Sequence, residues 1–389
     1  MRKKKYSLEK DHVRVGVKYR IYPNCEQIAY LNNVFGSTRF VFNQLLASKK
    51  LMKRKNFKYS LSSQLSYLVS KNPWLKKSCP NNPLYQSVID LKNALKHSKN
   101  SRTPKPGFRQ KDDVQTCRYT VGNFNFENNR LTLAGCNSSI RVKVSRLGFK
   151  DPITATVTKS GSGKYYVSFS TTKPKTGNNS KGVIGIDVGI KDFAILSTGE
   201  KIPNHHFSKV MVKRTKRLYA SVRRKVKGSK NRGRALIKLN ILHDKIANRR
   251  RDFINKLTTK LINENQVIAL EGFSISRLMS KNRFVANYIR DVAWGLFKRL
   301  LIQKAIASKT NQVVILDQYY ASSHICNKTG QKLNRKLKLS ERIWECPFCN
   351  EVHDRDLNAA LNIRNDAIRV LNEQVKDSRV KVDVVVAET

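Results

Sequence analysis

Acidic residues are scarce in this chain. Asp and Glu total 27 against 77 Lys and Arg, which gives a formal net charge of +50 over 389 residues. Charge of one sign repels itself and destabilises a compact protein unless a polyanion neutralises it. An ordinary soluble enzyme does not need this charge, so the composition indicates a protein that binds nucleic acid. At this length the chain can hold two or three domains with a substantial core.

Long apolar runs are absent as well, and no stretch is long enough to predict a transmembrane helix. The basic start MRKKK lacks the apolar stretch of a signal peptide. The seven cysteines are an odd number scattered along the chain, which predicts a reducing compartment. We therefore expect no membrane partner and a cytoplasmic location.

A chemical signal stands out in residues 183–197, which read VIGIDVGIKDFAILS. The apolar residues predict two buried strands, and the short connection at residues 189–192 predicts a hairpin. Asp187 interrupts the first apolar run, where an unpaired carboxylate is costly. One interpretation is a structural aspartate that caps a turn or pairs with a lysine. The other is a functional carboxylate that binds a partner or coordinates a metal. Taken alone, Asp187 leaves both interpretations open.

Further acids change that balance. Glu271 ends a second apolar strand, QVIALEG, and the stretch HDRDLNAA begins a predicted helix with Asp354 and Asp356. Three acids on separate elements, two of them on hydrophobic strands, suit a two-metal site for phosphodiester hydrolysis. The reason is that Mg²⁺ prefers oxygen ligands, and two ions can bind the attacking and leaving oxygens.

These stretches resemble the three RuvC motifs of TnpB proteins, the RNA-guided nucleases encoded by bacterial and archaeal insertion sequences. The similar segments are GIDVGIKDFAILSTG, LEGFSISRL and CPFCNEVHDRDLNAALNI, and YRIYPNCEQIAYLNNVFGSTRFVFN resembles the N-terminal motif of the family. The resemblance covers most of the chain. It implies an RNase H-like (RuvC) nuclease in which Asp187, Glu271 and Asp356 hold two Mg²⁺ ions. Asp356 is preferred because the family pattern D-x-N-A-A begins there, and Asp354 is the fallback.

The first half of the chain mixes both kinds of secondary structure. Alternating residues predict a strand at 13–21 and short strands between 117 and 171, whereas helical spacing is found within 26–50, 61–69 and 84–95. The expected fold class is α+β multidomain. It comprises a wedge β-barrel (residues 1–22 and 108–175), an inserted helical recognition domain (23–107) and a RuvC nuclease domain (176–389). The resemblance implies the wedge and recognition roles, and a zinc-finger-like insertion for target nucleic acid at about 320–352.

Residues 209–251 are the most basic region, with seventeen Lys or Arg and a single acid, Asp244. Apolar residues at spacings of three and four between Leu236 and Leu261 predict an amphipathic helix pair. With so few acids, these cations cannot all form salt bridges along the surface of the helices, so we predict that they bind phosphates. The residues predicted to bind nucleic acid here and in the N-terminal half are Arg39, Asn43, Arg109, Lys213, Arg214, Arg217, Arg223, Arg224, Arg249 and Arg250.

A cysteine module precedes the third acid, where the resemblance implies a four-cysteine zinc finger. Cys346 and Cys349 form a C-x₂-C knuckle and Cys326 begins another, but Thr329 stands where the fourth cysteine is expected. A tetrahedral Zn²⁺ site would then need a substitute ligand, either His324 or His353. A loop that keeps its shape without metal is the alternative interpretation.

The predicted function is that of a transposon-encoded, RNA-guided DNA endonuclease. A noncoding guide RNA would pair with one strand of a double-stranded target, and the protein would read a short flanking motif. We expect a monomeric protein within a ribonucleoprotein, associated with the nucleoid of a prokaryotic cell. The alternatives are a compact type V CRISPR effector with the same chemistry and a nuclease-inactive, RNA-guided DNA-binding repressor.

The segment after Glu271 and the C-terminal tail have less regular sequences. After Glu271 the resemblance implies a mobile lid at residues 273–291. The tail sequence VKVDVVV is either an extra strand or a disordered extension.

Overall fold

The computed structural model describes residues 11–54, 60–100, 104–145, 150–177, 180–272, 279, 283–317, 320–335, 337–338, 340–376 and 383–385. The chain forms two compact units. One comprises Met1–Val13, Pro174–Ala220 and Leu242–Thr389, and the other comprises Arg14–Lys173 and Ser221–Ile241. The change of unit after Lys173 lies in the polar linker that precedes the first RuvC motif.

The second unit is built on a seven-stranded sheet. Its strands are β1 (His12–Tyr22), β2 (Gln115–Thr120), β3 (Phe124–Glu127), β4 (Arg130–Leu133), β5 (Ile140–Lys143), β6 (Lys150–Lys159) and β7 (Tyr165–Pro174). They lie in the order β2-β6-β7-β1-β5-β4-β3, so the N-terminal strand joins the later strands as predicted. The rings of Phe124 and Phe126 on β3 pack against Phe169 of β7 at centroid distances of 6.1 and 4.8 Å. These contacts curl the sheet into a nearly closed barrel.

Helices pack directly on this barrel. They are α1 (Cys25–Arg54), α2 (Leu61–Lys71), α3 (Trp74–Ser78) and α4 (Asn81–Asn100). Tyr30 of α1 donates a hydrogen bond to the carbonyl of Ala134 at 2.6 Å, and its hydroxyl lies 2.9 Å from that of Tyr119 on β2. Buried residues of helices and barrel form one continuous core. The helical residues predicted as a recognition domain therefore share a core with the barrel, and their role in recognition stays a prediction.

The first unit is built on a six-stranded mixed sheet. Its strands are β8 (Val183–Val188), β9 (Asp192–Leu196), β10 (Lys201–Pro203), β11 (Val267–Leu270), β12 (Gln312–Ile315) and β15 (Asp383–Val385), in the order β10-β9-β8-β11-β12-β15. β8, β11 and β12 run parallel, whereas β9, β10 and β15 pair antiparallel with their neighbours. The predicted hairpin of β8 and β9 is confirmed, and the tail contributes β15 as the extra strand.

The helices that follow β10 are α5 (Phe207–Val210), α6 (Val212–Arg223), α7 (Lys230–Glu264), α8 (Arg283–Val292), α9 (Trp294–Ile306) and α10 (Arg355–Lys376). One face of the six-stranded sheet packs on apolar residues of α7, α8 and α9, and the other face packs on α10. Trp294 is buried at the start of α9. Helices on both faces of a mixed sheet are the arrangement expected of an RNase H-like domain, and the predicted α+β multidomain class is confirmed.

The cysteine module has its own small core. A two-stranded hairpin, β13 (Ile343–Glu345) and β14 (Val352–Asp354), follows a 3₁₀ turn at Ser322–His324. The buried side chains of this core are Cys326, Leu333, Leu337, Trp344 and Cys346. Nine of the nineteen residues of the segment predicted as a lid, residues 273–278 and 280–282, lie outside the described residues, and residues 283–291 belong to α8. Among the helices that the structure describes, none has the length and apolar character needed to cross a membrane.

Candidate active site and metal centre

Asp187 and Glu271 lie side by side on neighbouring parallel strands. The β8–β11 register pairs Ile186 with Leu270; Asp187 is the next residue of β8, and Glu271 directly follows the end of β11. Paired positions of parallel strands point to the same face, and neighbouring strands lie about 4.8 Å apart. Both carboxylates therefore leave the sheet at the carboxyl ends of its parallel strands, on one face.

Helix α10 brings the third acid to that face. Gly185, two residues before Asp187 and on the same face, lies so close to α10 that an added Cβ would be 2.1 Å from the carbonyl oxygen of Ala360. Only glycine permits this approach of strand and helix. Asp356 stands in the first turn of α10, one turn before Ala360. The contact at Gly185 thus sets Asp356 beside the ends of β8 and β11.

The electrostatics of the acids show that they converge. Burial, together with the charges of Glu271 and Asp356, raises the pKa of Asp187 to about 8. Burial also raises the pKa of Glu271. Like-charged carboxylates that share a buried site resist ionising together. A site of this kind is suited to divalent cations, whose charge stabilises the ionised carboxylates.

Two arginines border the third acid. Nη1 of Arg342 lies 2.5 Å from Oδ2 of Asp356, and Nε of Arg355 lies 3.5 Å from Oδ1. Arg342 comes from the chain just before β13, and its carbonyl accepts a hydrogen bond from the amide of Arg355 at 2.8 Å. The β13–β14 hairpin therefore fixes where the guanidinium of Arg342 meets the acid. No sequence pattern pointed to Arg342, because its proximity depends on the register of that hairpin.

Asp354, the fallback acid, has a different role in the fold. Its Oδ1 accepts hydrogen bonds from the amides of Asp356 and Leu357 at 3.0 and 3.3 Å, which makes it the N-terminal cap of α10. Its Oδ2 binds Nζ of Lys201 at 2.6 Å. Although burial raises the pKa of Asp354, the bonds from Lys201 and the two amides lower it below its ordinary value. Asp354 is thus committed to Lys201 and the helix terminus.

The basic residues predicted to bind nucleic acid divide into two groups. Six are exposed, and within the described part of the chain no ion pair involves them; they are Lys213, Arg214, Arg217, Arg223, Arg224 and Arg249. Arg250 is different, since its guanidinium bonds Oδ1 of Asp291 at 2.6 Å and Oγ of Ser208 at 3.1 Å. The exposed group remains available to phosphates, whereas Arg250 holds α7 to its neighbours.

The N-terminal residues of that prediction also have intramolecular partners. Asn43 and Arg109 exchange hydrogen bonds between the Asn43 side chain and the Arg109 backbone at 2.9 and 3.0 Å. The Arg109 guanidinium lies 3.8 Å from the ring centroid of Phe42, and Arg39 donates to Oε1 of Gln115 at 2.7 Å. These contacts join α1 to the first residue of β2 and to the chain before it. Binding of nucleic acid by Arg39, Asn43 and Arg109 stays a prediction.

The cysteine module gathers three thiols and one imidazole. The ligand atoms of Cys326, Cys346, Cys349 and His353 lie within 4.8 Å of one another. Sγ of Cys326 is 3.7 Å from Sγ of Cys349 and 3.6 Å from Nε2 of His353, and Sγ of Cys349 is 3.4 Å from that nitrogen. Tetrahedral zinc, with bonds of about 2.3 Å to sulfur and about 2.0 Å to nitrogen, would separate its ligands by about 3.8 and 3.5 Å. The group therefore fits zinc. Of the two histidines considered, the structure brings in His353, whereas His324 is not part of the group.

Both knuckles keep the same backbone shape although Thr329 replaces a cysteine. The amide of Gly330 donates to the carbonyl of Cys326, and the amide of Asn350 donates to that of Cys346, each at 2.8 Å. Burial raises the pKa of the Cys326 thiol, but bonds from the Thr329 hydroxyl and from the backbone of Thr329 and Lys328 lower it to about 6. Because the thiolate is the form that binds metal, Thr329 supports the ligand next to it.

Known protein families match three parts of the chain. The family OrfB_IS605, described as "Probable transposase", matches residues 165–282. The description "Cas12f1-like, TNB domain" matches residues 294–363, and "Helix-turn-helix domain" of the OrfB type matches residues 13–61. The first two matches include Asp187, Glu271 and Asp356.

Curated relatives cover most of the chain. A Streptomyces pristinaespiralis protein named "Putative RNA-guided DNA endonuclease" is 34% identical over 90% of this chain and 89% of its own length. The Escherichia coli K12 protein named "Putative RNA-guided DNA endonuclease InsQ" is 29% identical over 93% of this chain and 95% of its own. At this identity and coverage the chain belongs to the TnpB family, as the motifs predicted.

Solved structures resemble the chain distantly. "Cryo-EM structure of CRISPR-Cas12f Ternary Complex" shares 16% identity with a TM-score of 0.36, covering 87% of this chain and 82% of that one. "Structure of the mini-RNA-guided endonuclease CRISPR-Cas_phi3" shares 10% identity with a TM-score of 0.41, covering 92% and 93%. These scores describe a weak similarity in shape.

Proposed function

We propose that this chain is an RNA-guided DNA endonuclease. The observation that carries the proposal is the convergence of Asp187, Glu271 and Asp356, whose mutual charge helps to raise the pKa of Asp187 to about 8. The names of the curated relatives support the guidance by RNA. The net charge of +50 is that of a protein whose partners are polyanions.

The three acids would hold two Mg²⁺ ions, because the carboxylates supply the oxygen donors that this ion prefers. When bound, the ions activate water and stabilise the leaving 3′ oxygen. The chain's own contribution is positional: the β8–β11 register aligns Asp187 with Glu271, and the close packing at Gly185 sets Asp356 beside them. Asp354 would act as a positioning residue that caps α10.

The partners would be a guide RNA and a double-stranded target carrying a short flanking motif. The exposed cations of α6 and α7 would bind the nucleic acid through its phosphates. The protein would act as a monomer in a ribonucleoprotein within a prokaryotic cell, at the nucleoid. Zinc bound by Cys326, Cys346, Cys349 and His353 would hold the module that carries Arg342.

The test combines RNA identification with cleavage. The RNA that copurifies with the protein from cells carrying its locus would be sequenced, and the complex would be supplied with matching duplex DNA and Mg²⁺. We expect one abundant RNA ending in a variable segment beside a transposon end, and cleavage that Asp187→Ala or Glu271→Ala lowers at least about a hundredfold. Both variants should bind the RNA as the wild type does, since the cationic surface is unchanged.

Each alternative predicts a different result. A repeat-derived RNA would identify a CRISPR effector with the same chemistry. Guide-dependent DNA binding without cleavage by the wild type would identify a repressor. Full-rate cleavage by Asp187→Ala would refute the assignment of the acids.

A further inference from the structure

A cavity of about 590 Å³ opens on the barrel sheet. Its volume lies in the range of about 300–1,000 Å³ that small-molecule sites occupy. Its polar lining comes from β1, β4, β5 and the turn between β3 and β4. These residues are Tyr22, Asn128, Asn129, Arg130, Arg141 and Lys143. Three cations and no carboxylate line the cavity, so it is suited to an anion.

The cations stand in register across the sheet. Arg130 on β4 lies opposite Arg141 on β5, and Arg141 lies opposite Tyr22 on β1. Like charges directly opposite each other destabilise a sheet. Glu127 of β3 lies opposite Arg130 on the other side, and the Arg130 guanidinium donates to Oγ of Ser139 at 3.4 Å. An anion bound between Arg130 and Arg141 would relieve the repulsion between them.

An exposed aromatic ring stands beside these charges. The side chain of Tyr22 is 48% exposed, although its neighbour Ile21 is buried in the core. The guanidinium carbons of Arg20 and Arg141 lie 5.4 and 5.9 Å from the centroid of its ring. Exposed aromatic rings and arginine planes are the surfaces on which unpaired bases stack. The cavity thus combines a stacking platform with phosphate ligands.

The β3–β4 turn adds hydrogen-bonding groups at the cavity. Asn128 and Asn129 both have positive φ, 49° and 59°, as a two-residue type I′ hairpin turn requires. The carbonyl of Asn129 accepts the amide of Val142 at 2.8 Å, which ties the turn to β5. Each asparagine amide offers both donors and an acceptor, which are the groups needed to bond the edge of a base.

We propose that this cavity binds one unpaired nucleotide of a single nucleic-acid strand. The base stacks on Tyr22 with its edge toward Asn128 and Asn129, while the adjoining phosphates bind Arg130 and Arg141. A base inside a duplex is already stacked and paired, so the site selects single strands. The proposal rests on the proposed function only in taking nucleic acid as the partner, since it requires no cleavage.

The first test measures binding to labelled oligouridine, oligothymidine and a DNA duplex by fluorescence anisotropy with the full-length chain. We expect Tyr22→Ala to weaken single-strand binding at least about fivefold without changing its salt dependence, because stacking involves no charge. Tyr22→Phe should bind as the wild type does. Arg141→Gln should lower the slope of log affinity against log salt by about 0.7.

A matched control removes a charge from the same strand at a distance. Arg14 is exposed on the same face of β1 as Tyr22, about 26 Å away along the strand. The effects of Tyr22→Ala and Arg141→Gln should be non-additive, whereas those of Tyr22→Ala and Arg14→Gln should add. Equal losses on RNA and DNA assign the site to either kind of strand, and a loss confined to RNA assigns it to RNA.

Several outcomes would overturn the proposal: an equal loss on duplex DNA, a loss with Tyr22→Phe as large as with Tyr22→Ala, or additivity of Tyr22→Ala with Arg141→Gln. A second measurement uses the wild type alone, with photocrosslinking to RNA that contains 5-iodouridine. Crosslinks at Tyr22 are expected, and crosslinks confined to other residues would contradict the assignment. If the binding and crosslinking results are as expected but the protein does not cleave DNA, the proposed function would be refuted and this nucleotide site would stand.

Discussion

The guanidinium of Arg342 forms an ion pair with the carboxylate of Asp356, in which Nη1 lies 2.5 Å from Oδ2. The side chain of Arg342 is 46% exposed and that of Asp356 is 18% exposed. A cation that binds Asp356 must therefore compete with a guanidinium delivered by the cysteine module. This relationship links the module to the candidate active site.

Removing that guanidinium should strengthen divalent-ion binding. An exposed ion pair contributes about 0.2–1 kcal/mol, so Arg342→Ala should raise the affinity for Mn²⁺ by up to about fivefold. Isothermal titration calorimetry of the complex without DNA measures this directly. Arg335→Ala is the control, because Arg335 lies in the same module but pairs with Glu341. Weaker Mn²⁺ binding by Arg342→Ala would show instead that the guanidinium supports the site.

The pKa of Asp187 predicts a pH-dependent stability of the metal-free protein. Because its pKa rises from 3.8 to about 8 in the folded state, the folded protein retains a proton that the unfolded chain releases between these values. Stability contributed by this proton is therefore lost as the pH rises from about 4 to about 8. Asp187→Asn is neutral throughout and should melt higher than the wild type near pH 8 in EDTA.

Melting temperatures at several pH values check this prediction. The control Asp192→Asn, on the same hairpin, keeps the Asp187 carboxyl and should keep the wild-type pH dependence. Identical slopes for Asp187→Asn and the wild type would mean that the three acids do not share a buried site.

Two neighbouring acids of the HDRD sequence should differ in their effects. Asp354→Ala removes the cap of α10 and should cost about 0.5–2 kcal/mol of stability. It should leave most of the cleavage rate per folded molecule. Asp356→Ala should retain the cap and lose cleavage at least about a hundredfold. Urea denaturation with cleavage assays separates the two, and the reverse pattern would make Asp354 the third ligand.

Zinc content tests the Cys₃His group. The purified wild type should contain one zinc per chain by elemental analysis, His353→Ala should lose it, and His324→Ala should keep it. Thr329→Cys introduced into His353→Ala should restore zinc, because it completes the four-cysteine set that the family pattern expects. Retention of zinc by His353→Ala would point to another fourth ligand.

The sequence is informative where an isolated residue breaks a pattern. Asp187 and Glu271 could be predicted as candidate site residues because acids are costly on apolar strands, whereas the parallel pairing of β8 with β11 that brings them together is seen only in the structure. The choice between His324 and His353 could not be predicted, since both lie near the cysteines in sequence and only the β13–β14 hairpin turns one inward. The contact of Asn43 with Arg109 could not be predicted because the two residues are far apart in the sequence. The contact of Arg342 with Asp356 could not be predicted because it depends on the register of the β13–β14 hairpin. The alignment of Arg130, Arg141 and Tyr22 on neighbouring strands likewise could not be predicted, because it depends on the position of β1 between β7 and β5 in the sheet.

The outer strands of the six-stranded sheet have a consequence for self-association. An uncovered sheet edge is a template for strands of other molecules. On one side β10 is three residues long, carries Lys201, and has a register shift before Pro203, all of which discourage further pairing. On the other side β15 pairs with β12 and is the outermost strand, and it is also only three residues long. Both outer strands of this sheet therefore offer a second copy of the chain few backbone groups with which to extend it.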